Sequence, residues 1–204
     1  MTRETEAVHW TAGTWTREPV AARIDDDDLV VAAAEGSDYW RTTYYGFLHD
    51  DGHGLLTEWP ADAAMEVAFD SSALTELYDQ AGIFLRAGED RWIKAGIELN
   101  DGVPHVGAVV TDRVSDWSLA PVPDWAGQVI TVRASRSADA VVLRARAGDG
   151  PWRTIRVAPF AALPARAEAG PLVCAPMRQG LEVRFTRWVL AAPDADLHED
   201  PPTA

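Results

Sequence analysis

The sequence predicts an all-β fold, a two-sheet antiparallel β-sandwich, from three observations. Short runs rich in β-branched and aromatic residues recur along the 204 residues, separated by turn signals at close spacing. Helical periodicity is confined to one short segment, residues 71–78, where Ser71 or Ser72 could act as an N-cap. A hydrophobic content of 47% is enough for the sizeable core of one large all-β domain.

The best-defined strands form a predicted antiparallel meander over residues 80–111. They occupy residues 80–86, 92–99 and 105–111, and Asn100-Asp101-Gly102 is a strong hairpin turn because these residues tolerate positive φ. Further strands are predicted at 28–34, 63–69, 128–136, 140–148 and 181–190. No linker divides the chain, so we predict one domain over residues 1–192. Residues 193–204 lack a core pattern and are predicted to be a disordered tail.

Alternation along the meander assigns each side chain to one face of the sheet. The predicted inward residues are apolar: Ala81, Ile83, Leu85, Ile93, Ala95, Ile97, Leu99, Val106, Ala108 and Val110. The opposite face collects Gln80, Trp92, Lys94, Glu98 and His105, with Gly82, Gly96 and Gly107 among them. An aromatic ring beside amide, ammonium and carboxylate groups suits a sugar, and strand glycines often mark close approach of a ligand. The alternative is a polar solvent face with one Lys–Glu pair.

Charge and composition exclude several classes of partner. With 32 acidic and 18 basic residues the net charge is −14, which disfavours nucleic acid and anionic membrane surfaces. The one cysteine, Cys174, has apolar neighbours and is predicted to be a small core residue. The absence of a disulfide, of a signal-type apolar start and of a membrane-length apolar run predicts a cytoplasmic protein. No Walker loop or dinucleotide fingerprint occurs, so no cofactor is predicted.

Several strings are similar to one known family. They lie at residues 38–54 (DYWRTTYYGFLHDDGHG), 77–86 (LYDQAGIFLR), 91–102 (RWIKAGIELNDG), 109–118 (VVTDRVSDWS) and 170–185 (GPLVCAPMRQGLEVRF). Together they resemble the regulation-of-enolase-protein-one-like domain family, uncharacterised proteins with a concanavalin A-like (lectin/glucanase) jelly-roll fold. The resemblance implies a concave sheet face on which relatives by fold bind or cut carbohydrate, and it implies no defined reaction. Asp116 and Trp117 lie where a loop could edge that face, with Trp117 either a ring-stacking lid or a plug beneath the loop.

We therefore expect a lectin-like domain that binds a sugar or a small sugar-derived metabolite on the concave face. The expected binding residues are Gln80, Trp92, Lys94, Glu98, His105, Asp116 and Trp117. Two alternatives stay open: a domain that docks another protein, and a carbohydrate-active hydrolase. A hydrolase would use Glu98 with a second carboxylate such as Asp116 or Asp50, although the glucanase pattern Glu-x-Asp-x-x-Glu is absent.

A metal site at His49, Asp50 and His53 is a further alternative. Imidazole and carboxylate groups at this spacing can share an ion. Loop residues of these types more often hydrogen-bond their own loop, so no metal is predicted.

Overall fold

The computed structural model describes residues 4–137, 139–160 and 167–201. Over these residues the chain forms seventeen β-strands and three single 3-10 turns. The strands are β1 (Glu6–Ala7), β2 (Thr14–Trp15), β3 (Ala21–Asp25), β4 (Asp28–Ala32), β5 (Tyr39–Arg41), β6 (Leu48–Asp50), β7 (His53–Trp59), β8 (Ala64–Asp70), β9 (Gln80–Arg86), β10 (Arg91–Asn100), β11 (Val103–Asp112), β12 (Val114–Pro121), β13 (Val129–Ser137), β14 (Ala140–Ala147), β15 (Arg153–Pro159), β16 (Ala167–Cys174) and β17 (Glu182–Ala191). The 3-10 turns are Trp10–Ala12, Ser71–Ala73 and Pro123–Trp125.

Two large antiparallel sheets contain most of these strands, which confirms the all-β sandwich. The first sheet has the order β15-β14-β13-β8-β17-β4-β3, with β1 also paired to β17. The second sheet, which carries the site described below, has the order β12-β11-β10-β9-β16-β7-β2. Strands β5 and β6 form a separate hairpin. In the described part of the chain, no helix is long and apolar enough to cross a membrane.

The predicted meander is confirmed as β9, β10 and β11. Asp101 and Gly102 have φ of 51° and 75°, as a two-residue hairpin turn with both central residues left-handed requires. All the predicted inward residues are buried except Val110, which is half-buried against the core. Apolar side chains from both sheets meet there in one cluster, because period-two alternation directs them to the interior.

The helix predicted at residues 71–78 does not form beyond the 3-10 turn Ser71–Ala73. Asp70, rather than a serine, caps this turn by accepting a hydrogen bond from the Ser72 amide. The carboxylate of Asp79 accepts from the amides of Thr75 and Glu76, at 2.9 and 3.0 Å. These amides are therefore satisfied without an intrahelical carbonyl, which ends the turn.

Residues 193–201, part of the segment predicted to be a disordered tail, contact the first sheet in the structure. Asp194 accepts hydrogen bonds from Arg133 at 2.7 Å and from Arg144 at 2.9 Å. Arg133 also donates to Glu66 at 2.6 Å, and all these side chains are almost completely buried on the outer face of the first sheet. The sequence shows no apolar pattern here because the attachment is ionic. Residues 202–204 lie outside the described part.

Candidate functional site

A cavity of about 290 Å³ lies on the outer face of the second sheet. This volume is at the lower end of the range of about 300–1,000 Å³ that is typical of small-ligand pockets. Strands β9, β10 and β11 form its floor, and the β5–β6 hairpin, β12 and the chain after β16 form its walls. The lining residues are Gly36, Asp38, Trp40, Tyr45, Phe47, His49, Tyr78, Gln80, Lys94, Glu98, Val109, Trp117, Pro176 and Met177.

A buried ion pair forms part of the cavity floor. The ammonium of Lys94 donates to Asp38 Oδ1 at 2.5 Å and to Gln80 Oε1 at 2.8 Å. The Gln80 amide lies 3.4 Å from the same Asp38 oxygen, which also accepts from the Tyr39 amide at 2.7 Å. Coulombic attraction to Asp38 raises the pKa of Lys94 against the desolvation that opposes it, so Lys94 is a cation here.

Glu98 is the second carboxyl of the floor, and it forms no salt bridge among the residues that the structure describes. It follows Lys94 by four residues on β10, on the same face of the sheet, and is paired with Gln80 on β9. The residue is more than nine-tenths buried. Its Oε1 is enclosed and makes no hydrogen bond within the described residues. Burial raises the pKa of Glu98 to about 7; the attraction of Lys94 opposes this shift and the repulsion of Asp38 adds to it. The floor therefore holds the Asp38–Lys94 ion pair beside a carboxyl whose pKa is raised by burial.

Aromatic rings form the walls of the cavity. Trp40 meets Tyr45 at 71° and Trp117 at 83°, with ring centroids 5.6 and 6.1 Å apart. Tyr45 stacks on Phe47 at 5.2 Å. Trp117 belongs to β12 and all the others to the β5–β6 hairpin and its loop, so the walls depend on how the hairpin is held against the sheet.

Hydrogen bonds tie the hairpin to β12 and close the base of the hairpin. The Arg41 amide donates to Ser115 Oγ on β12 at 2.9 Å, and the Asp51 and Gly52 amides donate to the Asp38 carbonyl. The hairpin loop has positive φ at Thr42, Tyr44 and Gly46, and Trp40 Nε1 donates to the Thr43 carbonyl inside it. Two non-glycine residues in left-handed conformations are a local cost that this loop tolerates at the cavity wall.

Four of the seven predicted binding residues adjoin the cavity or its floor. Gln80, Lys94, Glu98 and Trp117 line it. His105 on β11 is paired with Glu98 on β10 but lies outside the cavity lining. Its Nδ1 contacts the carbonyl of Val103, two residues earlier on the same strand.

Trp92 and Asp116 lie outside the cavity lining. Trp92 is only 2% exposed, and its ring packs against Tyr39 and Phe84 at 5.5 and 5.7 Å. It belongs to a second apolar cluster on the outer face, because the segment carrying Tyr39 covers this end of β10. Asp116 alternates with Trp117 on β12 and pairs with Arg156 of the first sheet at 2.6 Å, so it is an exposed ion-pair residue.

The three strand glycines are explained first by neighbouring strands. A Cβ on Gly82 would lie 2.0 Å from the Ala95 carbonyl oxygen, and one on Gly96 would lie 2.2 Å from that of Ala81. A Cβ on Gly107 would lie 2.2 Å from the Ser118 oxygen. These glycines, paired in one row across β9, β10 and β11, allow close backbone approach, and above them is a recess of about 30 Å³ beside the cavity.

The three residues considered for a metal are not brought together. Both ring nitrogens of His53 are engaged: Nε2 accepts from the Ala34 amide at 3.0 Å, and Nδ1 donates to the Arg17 carbonyl at 3.1 Å. Burial lowers the pKa of His53, which agrees with a neutral ring. His49 lies 3.4 Å from Asp51, and Asp50 is exposed. Among the residues that the structure describes, no group of three His, Cys, Asp or Glu side chains could hold a metal ion.

Sequence reasoning missed Asp38 and the hairpin aromatics as site residues. Asp38 is 56 residues from Lys94, so no local spacing connects them. The available signal was the density of rings in residues 39–47, which exceeds what a short surface hairpin needs. Cys174 was predicted correctly as a core residue: it is fully buried in the second cluster, and burial raises the pKa of its thiol.

Comparison with known proteins agrees with this architecture. A family model described as "Protein of unknown function (DUF1349)" matches residues 15–193. The chain belongs to the DUF1349 family. It is 33% identical over 190 residues to Regulation of enolase protein 1 from Saccharomyces cerevisiae, covering 93% of this chain and 94% of that protein. The family resemblance read from the sequence motifs is therefore confirmed.

Two solved structures have a similar fold. A functionally unknown protein from Saccharomyces cerevisiae has a TM-score of 0.84 at 33% identity, covering 91% of this DUF1349 chain and 99% of its own. A xylan β-1,4-xylosidase from Bacillus halodurans has a TM-score of 0.68 at 10% identity. That likeness covers 94% of this chain but only 39% of the xylosidase, so it shows a shared β-sandwich and no shared chemistry.

Proposed function

We propose that this DUF1349 chain binds a sugar or a small sugar-derived metabolite in the cavity between the second sheet and the β5–β6 hairpin. The observation that carries the proposal is the combination of ring-lined walls with a polar floor. Trp40, Tyr45 and Trp117 offer ring faces and edges, while Gln80, Lys94 and Glu98 supply amide, ammonium and carboxyl groups. A sugar needs both, because its C–H faces pack on rings and its hydroxyls hydrogen-bond.

Two features of the cavity would lower the free-energy cost of binding a small ligand. Lys94 and Asp38 hold each other in a fixed position, so they need not be ordered when a ligand arrives. Glu98 lines the cavity and its enclosed Oε1 has no hydrogen bond among the described residues, so a ligand donor beside this carboxyl would lower the cost of burying it.

A thermal-shift screen of neutral and charged monosaccharides tests the proposal. A ligand at about 100 times its dissociation constant should stabilise the protein by about 2.7 kcal/mol. Trp117→Ala should weaken the binding of a ligand found in this way by about 1–3 kcal/mol, as loss of an aromatic anchor does. Trp152→Ala is the matched control, since Trp152 is also half-buried but stacks on Arg146 outside the cavity. Equal weakening by both variants would refute the proposal.

A second candidate, hydrolysis of a glycosidic bond, is favoured by the presence of two carboxyl groups at one cavity. Glu98, with its pKa raised to about 7, has the property of a general acid, and Asp38, paired with Lys94, is the second carboxyl. Asp38 accepts the hydrogen bonds from Lys94, Gln80 and Tyr39 through Oδ1, so none of these three bonds occupies Oδ2. Release of product from aryl glycosides by the natural protein, lost in both Glu98→Gln and Asp38→Asn, would establish this candidate.

A protein partner is a third candidate, favoured by the rim of the cavity. Tyr44 is 93% exposed and Met177 is 58% exposed, and Leu48 is also exposed. An apolar rim of this kind is typical of interaction surfaces, and the Saccharomyces cerevisiae relative is named for regulation of an enzyme. Tyr44→Ser should then abolish capture of the partner while leaving the binding of small ligands unchanged.

A further inference from the structure

The rings around the cavity do not form a flat platform. Trp40 is steeply inclined to both Tyr45 and Trp117, at 71° and 83°, so ring planes face the space from different directions. A single sugar face stacks on one ring, whereas rings at steep angles surround a compact group. Aromatic rings carry negative charge on their faces, and such cages recognise ammonium groups in proteins.

The charges of the floor point to the same kind of group. Lys94 is already engaged by Asp38 and Gln80, and this pair has no net charge. Glu98 is the remaining carboxyl, more than nine-tenths buried, with one oxygen that has no partner among the described residues. Lys94 also attracts Glu98 but donates its hydrogen bonds to Asp38 and Gln80, and a ligand cation would supply the remaining compensation. Two independent features, the ring cage and the unpartnered carboxyl, therefore select for positive charge.

Resting on the proposed function of this cavity, we propose that its ligand carries a positively charged nitrogen, an ammonium or alkylammonium group, which lies among the rings and compensates Glu98. An amino sugar satisfies both this inference and the proposed binding of sugar-derived metabolites. The chain's net charge of −14 favours the approach of such a ligand.

Matched pairs of probes isolate the charge. Glucosamine and N-acetylglucosamine share a ring but differ in the charge on nitrogen, and choline has a neutral isostere in which carbon replaces nitrogen. We expect the cationic member of at least one pair to bind roughly tenfold more tightly or better, as desolvated cation–π contacts do. Equal affinities in both pairs would overturn the inference.

Glu98→Gln separates the carboxyl from the rings. The variant keeps the shape of the side chain, and the preference for the cation should fall severalfold, while Glu58→Gln should leave it unchanged. Glu58 is a suitable control because it is exposed on β7, two residues after Leu56 of the outer-face cluster, and outside the cavity lining. An undiminished preference in Glu98→Gln would mean that the cation binds elsewhere and would overturn the inference.

Proton release gives a readout in the natural protein that needs no variant. Near pH 7 Glu98 is partly protonated, and binding of a cation should expel that proton, which calorimetry in buffers of different ionisation enthalpy detects. The other titratable groups facing or adjoining Glu98 are Lys94, Asp38, His49, Tyr45, Tyr78, His105 and Cys174. Loss of the proton release in Glu98→Gln would assign it to Glu98, and its persistence would contradict the assignment.

The inference and the proposed function fail in different ways. If neutral sugars bind in the cavity and the cationic probes bind no better, the ligand is an uncharged sugar and only the inference is wrong. If neither sugars nor cations bind to the natural protein, the proposed function itself is wrong.

Discussion

Replacing Glu98 by glutamine should change how the stability of the protein depends on pH. Burial raises the pKa of Glu98 from 4.5 to about 7, and at about 1.4 kcal/mol per pKa unit its ionisation in the folded state costs about 3 kcal/mol. The folded pKa lies above the unfolded one, so this contribution is fully present below the unfolded pKa. It is lost as the pH rises through about 7. Glutamine carries no such proton, so the variant should escape the loss.

Urea unfolding of both proteins at several pH values measures this effect. The free energy of unfolding of Glu98→Gln, relative to the natural protein, should rise by about 3 kcal/mol between about pH 4 and about pH 8. Taking the difference cancels groups common to both proteins, including buried His53. Glu58→Gln should show no such trend. A relative stability that changes by less than about 1 kcal/mol over this range would mean that the Glu98 carboxyl ionises in the folded protein without the cost of burial.

Three further predictions concern the framework. Gly82→Ala should destabilise the protein by more than about 3 kcal/mol because its Cβ would meet the next strand's backbone at 2.0 Å, while Gly88→Ala, with open space around it, should change stability by less than about 1 kcal/mol by thermal unfolding. Asp194→Ala should cost about 3–5 kcal/mol in urea unfolding, since it leaves Arg133 with a buried charge that has lost a partner; a near-neutral effect would mean that the tail is not anchored. Trp92→Ala should lower the free energy of unfolding by about 3–5 kcal/mol. Trp92→Phe should lower it clearly less, because the indole N–H has no acceptor among the described residues. Loss of ligand affinity in Trp92→Phe at unchanged stability would place Trp92 in the binding site.

The sequence was sufficient for the central meander because period-two alternation and turn residues are local signals. It did not predict β7 and β16, and it placed Asp116 and Trp117 on a loop where the structure has strand β12. The inward set of β9 to β11 and the turn at Asp101 and Gly102 follow from neighbours in the chain, and the structure confirms both. Alternation assigned Trp92 to the correct face of the sheet. It could not show what covers that face, because Tyr39 reaches Trp92 from another part of the chain.

Only part of the site was predictable, because local signals indicate which residues share a strand face but not which distant segment covers that face. Lys94, Glu98 and Gln80 come from adjacent strands whose register the hairpin turns specify. Asp38 and the ring-bearing hairpin join them by long-range packing, and Asp194 reaches Arg133 across 61 residues. Ion pairs between distant residues have no periodicity, so nothing in the sequence indicates which acid meets which base.

The buried position of Lys94 has a practical consequence for labelling. It is the only lysine in the chain, and every other basic side chain apart from the histidines is an arginine. Because its ammonium is enclosed and bound by Asp38 and Gln80, lysine-directed reagents have one side-chain target that the folded state shields. The rate at which isotopically labelled formaldehyde and a borohydride reductant methylate Lys94 would therefore report, from a single nitrogen atom, how often the floor of the cavity opens to solvent.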